Sequence, residues 1–583
     1  MPEIEKNSAE ETPSPATETK APKTVEEPKA PKAAKEPKAA KEPKAAKAAK
    51  GPRRTQRTVK RRWPAVVGGA STLLVAAALV GAATVFPGSD ATKAVTPVPH
   101  PLPVGEALAN CQGPTQLLAG SAAGADPEFS ANSSSTKTQL NAVVLSSSAG
   151  EIPGAGVQAL DGKFSPLFTI SEPPAATAEA GAKELTGKPK MRAEVEQGRD
   201  AAGASVLRVL PLGGEPSQGA GSVVVSSGDG DLKGLAAATC QAPSNEMWLS
   251  GASTTVGRTA VLMVSNSSAS PATVSFELFS PAGPVQAAGS KGLVVPAGTV
   301  RSVVLAGLAP DQELLSVHLK STGGAVSAVV QQSVLRGLTP GGVDYLAPVQ
   351  APSSTLVVPG VRVQAPATAA KISGQSGYAD AATALAITVP GVRDAVVEVK
   401  AFGPDGQAAL PNGGVFTAKA GAVSGFALAG LPEGTYSLSL SSDAPVAAAV
   451  RLSNSTKPGE AVDLAWAPSA ERLGDTHLAT VPKDAGSRLV FTAPEGAATV
   501  QLVPVTAGGV LGEATVVDVK SGFTTTVDPA SLGKDTAAVL ISASGSPAFG
   551  TQLLSDGGSA GIAVLPIAGT NAGTQAIKIT SGY

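Results

Sequence analysis

Beyond about residue 105 the chain alternates apolar and polar side chains in short runs, and Gly or Pro closes most of them. Period-two alternation bounded by turn residues predicts β-strands with one face in a core. The pattern also repeats. Thr273-Val274-Ser275-Phe276-Glu277-Leu278-Phe279-Ser280-Pro281-Ala282-Gly283 aligns with Val396-Val397-Glu398-Val399-Lys400-Ala401-Phe402-Gly403-Pro404-Asp405-Gly406 at an offset of 123 residues. Val274/Val397 and Phe276/Val399 share one face, Ser275/Glu398 and Glu277/Lys400 the other, and a Pro-x-Gly turn ends both. The same offset carries Leu305–Leu308 onto Leu428–Leu431, and an alternating strand follows each, Leu315–Leu319 and Tyr436–Leu440. The two units close alike, Val343-Asp344 against Val462-Asp463, and a more degenerate copy runs from Thr499 to Pro566.

Units of about 100 residues with half-buried alternation predict tandem immunoglobulin-like β-sandwiches, at 244–350, 351–468 and 469–583. Glu433-Gly434-Thr435-Tyr436 looks like a tyrosine corner leading into a late strand. Joined head to tail, such units would form an elongated rod. Residues 105–243 read as an irregular membrane-proximal β-domain, with strand candidates Asn141–Leu145, Ser205–Leu212, Ser222–Ser226 and Leu235–Cys240 and a loop over about 150–200. The fold class is therefore mainly β, after one transmembrane helix and a disordered N-terminal tail.

That membrane helix is expected at 63–87. Ala65 to Phe86 is an uncharged run of 22 residues, and at 1.5 Å each it would cross a hydrocarbon core of roughly 30 Å. Arg53, Arg54, Arg57, Lys60, Arg61 and Arg62 precede it, Trp63 sits where an interfacial anchor belongs, and Asp90 is the first charge beyond. The positive-inside rule leaves the N-terminus in the cytoplasm and exports the residues beyond the span. A cleaved signal peptide is the rival reading, disfavoured by the 62-residue leader. Residues 88–104 form a Pro- and Thr-rich stalk.

Composition changes the picture in two places. Residues 1–62 hold 17 Lys/Arg against 9 Asp/Glu, so a net charge of −1 conceals a basic tail and an acidic remainder. The tail repeats Pro-Lys-Ala-Ala-Lys-Glu, and proline every six residues with little apolar to bury predicts disorder. Its charge makes anionic lipid, or non-specifically nucleic acid, its available partner. The only two cysteines, Cys111 and Cys240, bracket the first domain beyond the span. Outside the cytoplasm such a pair is expected to bridge, with free thiols or a link between chains as alternatives.

Candidate chemistry is sparse. His100, His318 and His477 share no metal spacing and read as isolated exposed residues, and Asp229-Gly230-Asp231 reads as a polar turn. Ser134-Ser135-Thr136-Lys137 and Lys520-Ser521-Gly522 match the S-x-x-K and K-[ST]-G elements of penicillin-interacting enzymes, but in different domains. Tyr345 and Trp466 stand at domain ends, where caps between neighbouring sandwiches explain them better than sugar platforms. No cofactor or small-molecule substrate is implied.

The chain resembles an uncharacterised family of actinobacterial membrane-anchored proteins, the domain of unknown function 5719 family. The resemblance rests on Gly234–Cys240, Thr254–Thr259 and Ser333–Asp344. It implies a cell-envelope location and carries no catalytic or binding residue. The expected function is a non-enzymatic, single-pass membrane protein whose exported β-rod is a scaffold or interaction partner in envelope assembly. A binding module for wall glycan or secondary polymer is the alternative, and a penicillin-interacting enzyme a distant third. Arg336 and Asp344, in the Ser333–Asp344 segment, are the candidates for an exposed contact loop.

Overall fold

The computed structural model describes residues 105–117, 135–173, 191–212, 215–428, 430–557 and 560–567, with residues 100–101, 133, 569 and 576–577 besides. All belong to one compact unit, Thr96–Tyr583. The basic tail with its topology residues Arg53 to Trp63, the apolar run and most of the stalk lie outside the described residues, as does Ser134. Among the described residues no helix is long and apolar enough to cross a membrane.

Among the described residues four sandwiches succeed one another, and all four share one strand order. In the second, the strands are Glu246–Ala252, Arg258–Asn266, Ala272–Ser280, the split Gly283–Val285 and Leu293–Val295, Thr299–Val304, Leu315–Gly323, Ser327–Arg336 and Thr339–Leu346. Counting the split pair as the fourth, they form one sheet in the order first-sixth-third-fourth and another in the order fifth-second-seventh-eighth. The third and fourth sandwiches repeat both orders. In the third, Gly434–Ser455 is a single long strand that supplies the sixth position of one sheet and the seventh of the other. The helix Pro366–Ser373 is inserted between that sandwich's first two strands.

The first domain is not irregular. Its strands Ala107–Cys111, Lys137–Leu145, Ala155–Ala159, Pro166–Ser171, Ala193–Asp200, Ser205–Val209, Gln218–Ser227 and Gly234–Thr239 take the same two orders. Three of them occupy the stretch expected to be loop. Pro166–Ser171 and Ala193–Asp200 lie at sheet edges and are mostly exposed or half-buried, which is why alternation there is faint. Cys111 and Cys240 are bonded to each other, tying the first strand to the end of the eighth.

The rod expectation gives way to a closed ring. Neighbouring eighth strands pack against one another in the cycle first-second-third-fourth-first. Each inserts one face into the preceding sandwich: Val343 and Tyr345 into the first, Leu464 and Trp466 into the second, Ile562 and Val564 into the third. Leu235 and Ala237 of the first sandwich complete the cycle by packing on Leu554, Ala563 and Leu565 of the fourth. Backbone pairing of Ala193 N–H with the Gly509 carbonyl, 2.9 Å, also joins first to fourth.

The cause is the fifth-second-seventh-eighth sheet, whose long strands are apolar on both faces. Val462–Pro468 is buried throughout, and Arg258–Asn266 is buried from Ala260 onward. In the other sheet Ala395–Gly403 alternates buried and exposed. A sheet with two dry faces needs a second layer besides its own partner sheet, and the neighbouring sandwich supplies it.

Candidate functional site

The eighth strands bring one side chain to the ring axis. Opposite each eighth strand the seventh presents a serine: Ser226 faces Leu235, Ser333 faces Val343, Ser453 faces Leu464 and Ser555 faces Ile562. These four pairs fix the structural register, so the residues just before them, Gly234, Gly342, Asp463 and Gly561, are equivalent. Three are glycine and one is aspartate. The Asp463 carboxylate lies among all four strands: Oδ2 accepts from Leu235 N–H (2.9 Å) and Ile562 N–H (3.1 Å), and Oδ1 from Val343 N–H (3.2 Å) and Leu464 N–H (3.0 Å). The glycines make room. A Cβ at Gly234 or Gly342 would stand 2.6 or 2.4 Å from Asp463 Oδ1, and both residues have positive φ.

Burial pushes the Asp463 carboxyl up to about 7, against the pull of its four N–H donors. Asp344 is not its counterpart, although the Val-Asp strings look alike. It occupies the register position of Ala465, two residues further along the strand on the same face, and its Oδ2 accepts the Trp466 N–H at 2.8 Å. Burial holds it well above the usual carboxylate range, and the nearby Asp463 adds to that.

A cleft of about 410 Å³ opens between the second and third sandwiches, lined by Arg258, Arg336, Arg451, Asp380 and Trp466 among others. Arg258 opens the second strand of one sandwich and Arg336 ends its seventh, so antiparallel pairing sets them side by side. Asp380 comes from the loop after the inserted helix, and Arg451 from the long strand of the third sandwich. Arg258 grips the carboxylate with Nε to Oδ2 at 3.1 Å and Nη2 to Oδ1 at 2.8 Å. Arg336 Nη2 reaches Oδ1 at 2.9 Å, and its guanidinium lies 4.7 Å above the Tyr378 ring. Burial pushes Asp380 up, but the two guanidiniums outweigh it and its carboxyl sits below the ordinary value.

Arg336 and Asp344 are therefore not an exposed contact. The Arg336 side chain is 5% exposed, spent on Asp380 and Tyr378, and Asp344 is buried against the third sandwich. Exposure in that segment belongs to Gly337, Leu338 and Thr339. Two histidines also differ from expectation. His318 is buried, stacked on Trp248 at 4.0 Å, with Glu246 Oε1 2.7 Å from Nε2 and Glu277 Oε2 3.1 Å from Nδ1. His477 is buried and accepts the Gly474 N–H at 2.7 Å.

Tyr345 and Trp466 do cap neighbouring sandwiches. Tyr345 Oη donates to the Gly113 carbonyl of the first at 2.7 Å, and Trp466 lies against Gly251 of the second. Asp229 stands in the turn between Gln218–Ser227 and Gly234–Thr239, held by the hydroxyls of Ser133 and Ser135. Lys137 begins a strand of the first sandwich, whereas Ser521 follows one of the fourth. Among the described residues no group of His, Cys, Asp and Glu is arranged to hold a metal. A second cleft, about 540 Å³, lies between the third and fourth sandwiches; its Glu398, Lys400, Arg472 and Glu495 balance in charge.

A family model described as a family of unknown function, DUF5719, matches residues 195–530, more than half of the chain. The chain belongs to that family. The matched region includes both buried aspartates Asp344 and Asp463, the three cleft arginines and Asp380, and leaves out Cys111 and Ile562. No curated protein and no solved structure matches the chain.

Proposed function

We propose that this is a non-enzymatic, single-pass membrane protein whose exported part is a rigid recognition platform, a scaffold or interaction partner in cell-envelope assembly. The observation that carries the reading is the two-faced burial of one sheet in every sandwich. It supports one rigid body with its loops left for contact, rather than a jointed chain. Val256 and Leu338, two residues from Arg258 and Arg336 respectively, are 91% and 75% exposed, as a contact rim would require. The basic cluster before the uncharged run supports the membrane placement, with the ring outside.

The sandwiches are proposed to be immunoglobulin-like with two edges exchanged. Strands two to six pair as B, C, C′, E and F do in that fold, whereas the first strand joins F and the seventh joins B. Tyr436, at the start of a sixth strand, donates its hydroxyl to the Pro432 carbonyl at 3.1 Å, the geometry of a tyrosine corner.

In-cell photo-crosslinking from positions 256 and 338 tests the platform reading. Discrete envelope-protein adducts are the expected result. Adducts to wall polymer alone would favour the binding-module alternative, and an unbroken absence of adducts from both positions would count against a contact rim.

A further inference from the structure

The cleft between the second and third sandwiches holds more positive charge than the contact between them uses. One carboxylate, Asp380, serves both Arg258 and Arg336. Arg451 is a third cation in the same wall, and among the described residues it forms no ion pair. Its Nε–H donates to the Ala382 carbonyl at 3.3 Å. Burial pushes its guanidinium down, and the other two arginines add to this while Asp380 opposes it. Glu313 also lines the cleft but is exposed. Among the described residues the inner wall is thus three guanidiniums against one carboxylate. Arg451 is half-buried, with only the shared Asp380 to offset its charge, and a bound anion would favour it in the cleft. A planar guanidinium suits the oxygens of a carboxylate or phosphate. Ser253, Thr255 and Ser453 add hydroxyls, and Trp466 adds an apolar wall.

We propose that this cleft binds the anionic group of a small hydroxylated ligand, a sugar acid or sugar phosphate, with Arg451 as the direct contact. The two sources share one chemistry, an oxyanion beside hydroxyl groups. This goes beyond the platform reading and does not require it, since a partner could dock on the rim whether or not the cleft is filled.

The test uses the full chain in nanodiscs, titrated by isothermal calorimetry at neutral pH with glucuronate, glucose 1-phosphate and uncharged glucose. Saturable binding of one of the anions and none of glucose is expected; which anion binds identifies the source. Arg451→Gln should weaken it at least about tenfold, the loss of one charge-assisted contact. Thr255→Glu, which places a carboxylate at the half-buried mouth without removing a buried side chain, should do the same and decides the matter if Arg451→Gln unfolds. Failure of both anions to saturate, binding of glucose as tight as of the anions, or unchanged affinity in Thr255→Glu would overturn the proposal.

Discussion

Asp463 accepts from four backbone N–H groups contributed by four sandwiches, and its removal orphans all of them at once. Each buried donor left without a partner costs about 1–3 kcal/mol, so Asp463→Ala should lose about 4 kcal/mol or more by urea denaturation. Asp463→Asn keeps the shape but turns an amide N–H₂ toward two of the donors, and about half that loss is expected. The carboxyl also sets a pH dependence. Its folded value, about 7, lies above the ordinary 3.8, so protonation favours the folded chain. That contribution is complete below about 3.8 and is lost as pH rises through about 7; Asp344, also raised by burial, acts in the same direction. The urea midpoint should be higher at pH 5.5 than at pH 8.5, and Asp463→Asn should flatten the difference. A wild-type midpoint that rises across this range would sink the assignment. The sequence marked Asp463 only as half of a repeated Val-Asp pair. The Val-Asp strings align it with Asp344, whereas the serine pairings make it the register equivalent of Gly342. Register inside a sheet is decided by backbone pairing, and a slip of two residues preserves the apolar phase.

At the scale of the strand, two kinds of sheet coexist in each sandwich. The alternating strands, such as Thr273 to Phe279, were legible because one face meets a core and the other meets water. The continuously apolar ones, Ala260 to Val264 or Ala447 to Val450, were not assignable by periodicity, because burial on both faces erases the period. They are the strands that build the ring. Their interlock rests on a few anchors. Trp466→Ala would empty the space against Gly251 and should cost about 3–5 kcal/mol, whereas Tyr345→Phe loses one buried hydrogen bond to Gly113, about 1 kcal/mol. Chemical denaturation of the two variants checks the order; equal losses would mean that the hydroxyl, not the packed ring, is what matters at such positions.

For the whole ring, closure means that no sandwich has a self-sufficient surface. Removing residues 469–583 would bare Leu235, Ala237 and Val224 of the first sandwich and Leu553's contacts in the third. The shortened chain should aggregate or bind a hydrophobic dye, and the intact ring should unfold in one cooperative transition rather than four. Separate calorimetric peaks would contradict the interlock. The Cys111–Cys240 bond closes a separation of 129 residues and is worth up to about 5 kcal/mol in the chain-entropy account, so reduction should lower the transition temperature without opening the ring.

By itself the sequence determined the β class, the internal repeat and the strands with one wet face, and it left the cysteine bridge as one expectation among three. Those features come from local spacing, turn residues and composition. Only the tertiary structure decided that the first domain is a fourth copy, that the copies close into a ring, and that Arg258, Arg336, Arg451 and Asp380 share one cleft. The reason is sequence distance. The cleft arginines and their carboxylate lie on two sandwiches, the axial hydrogen bonds join four, and an apolar run says that a face is dry without saying what keeps it dry.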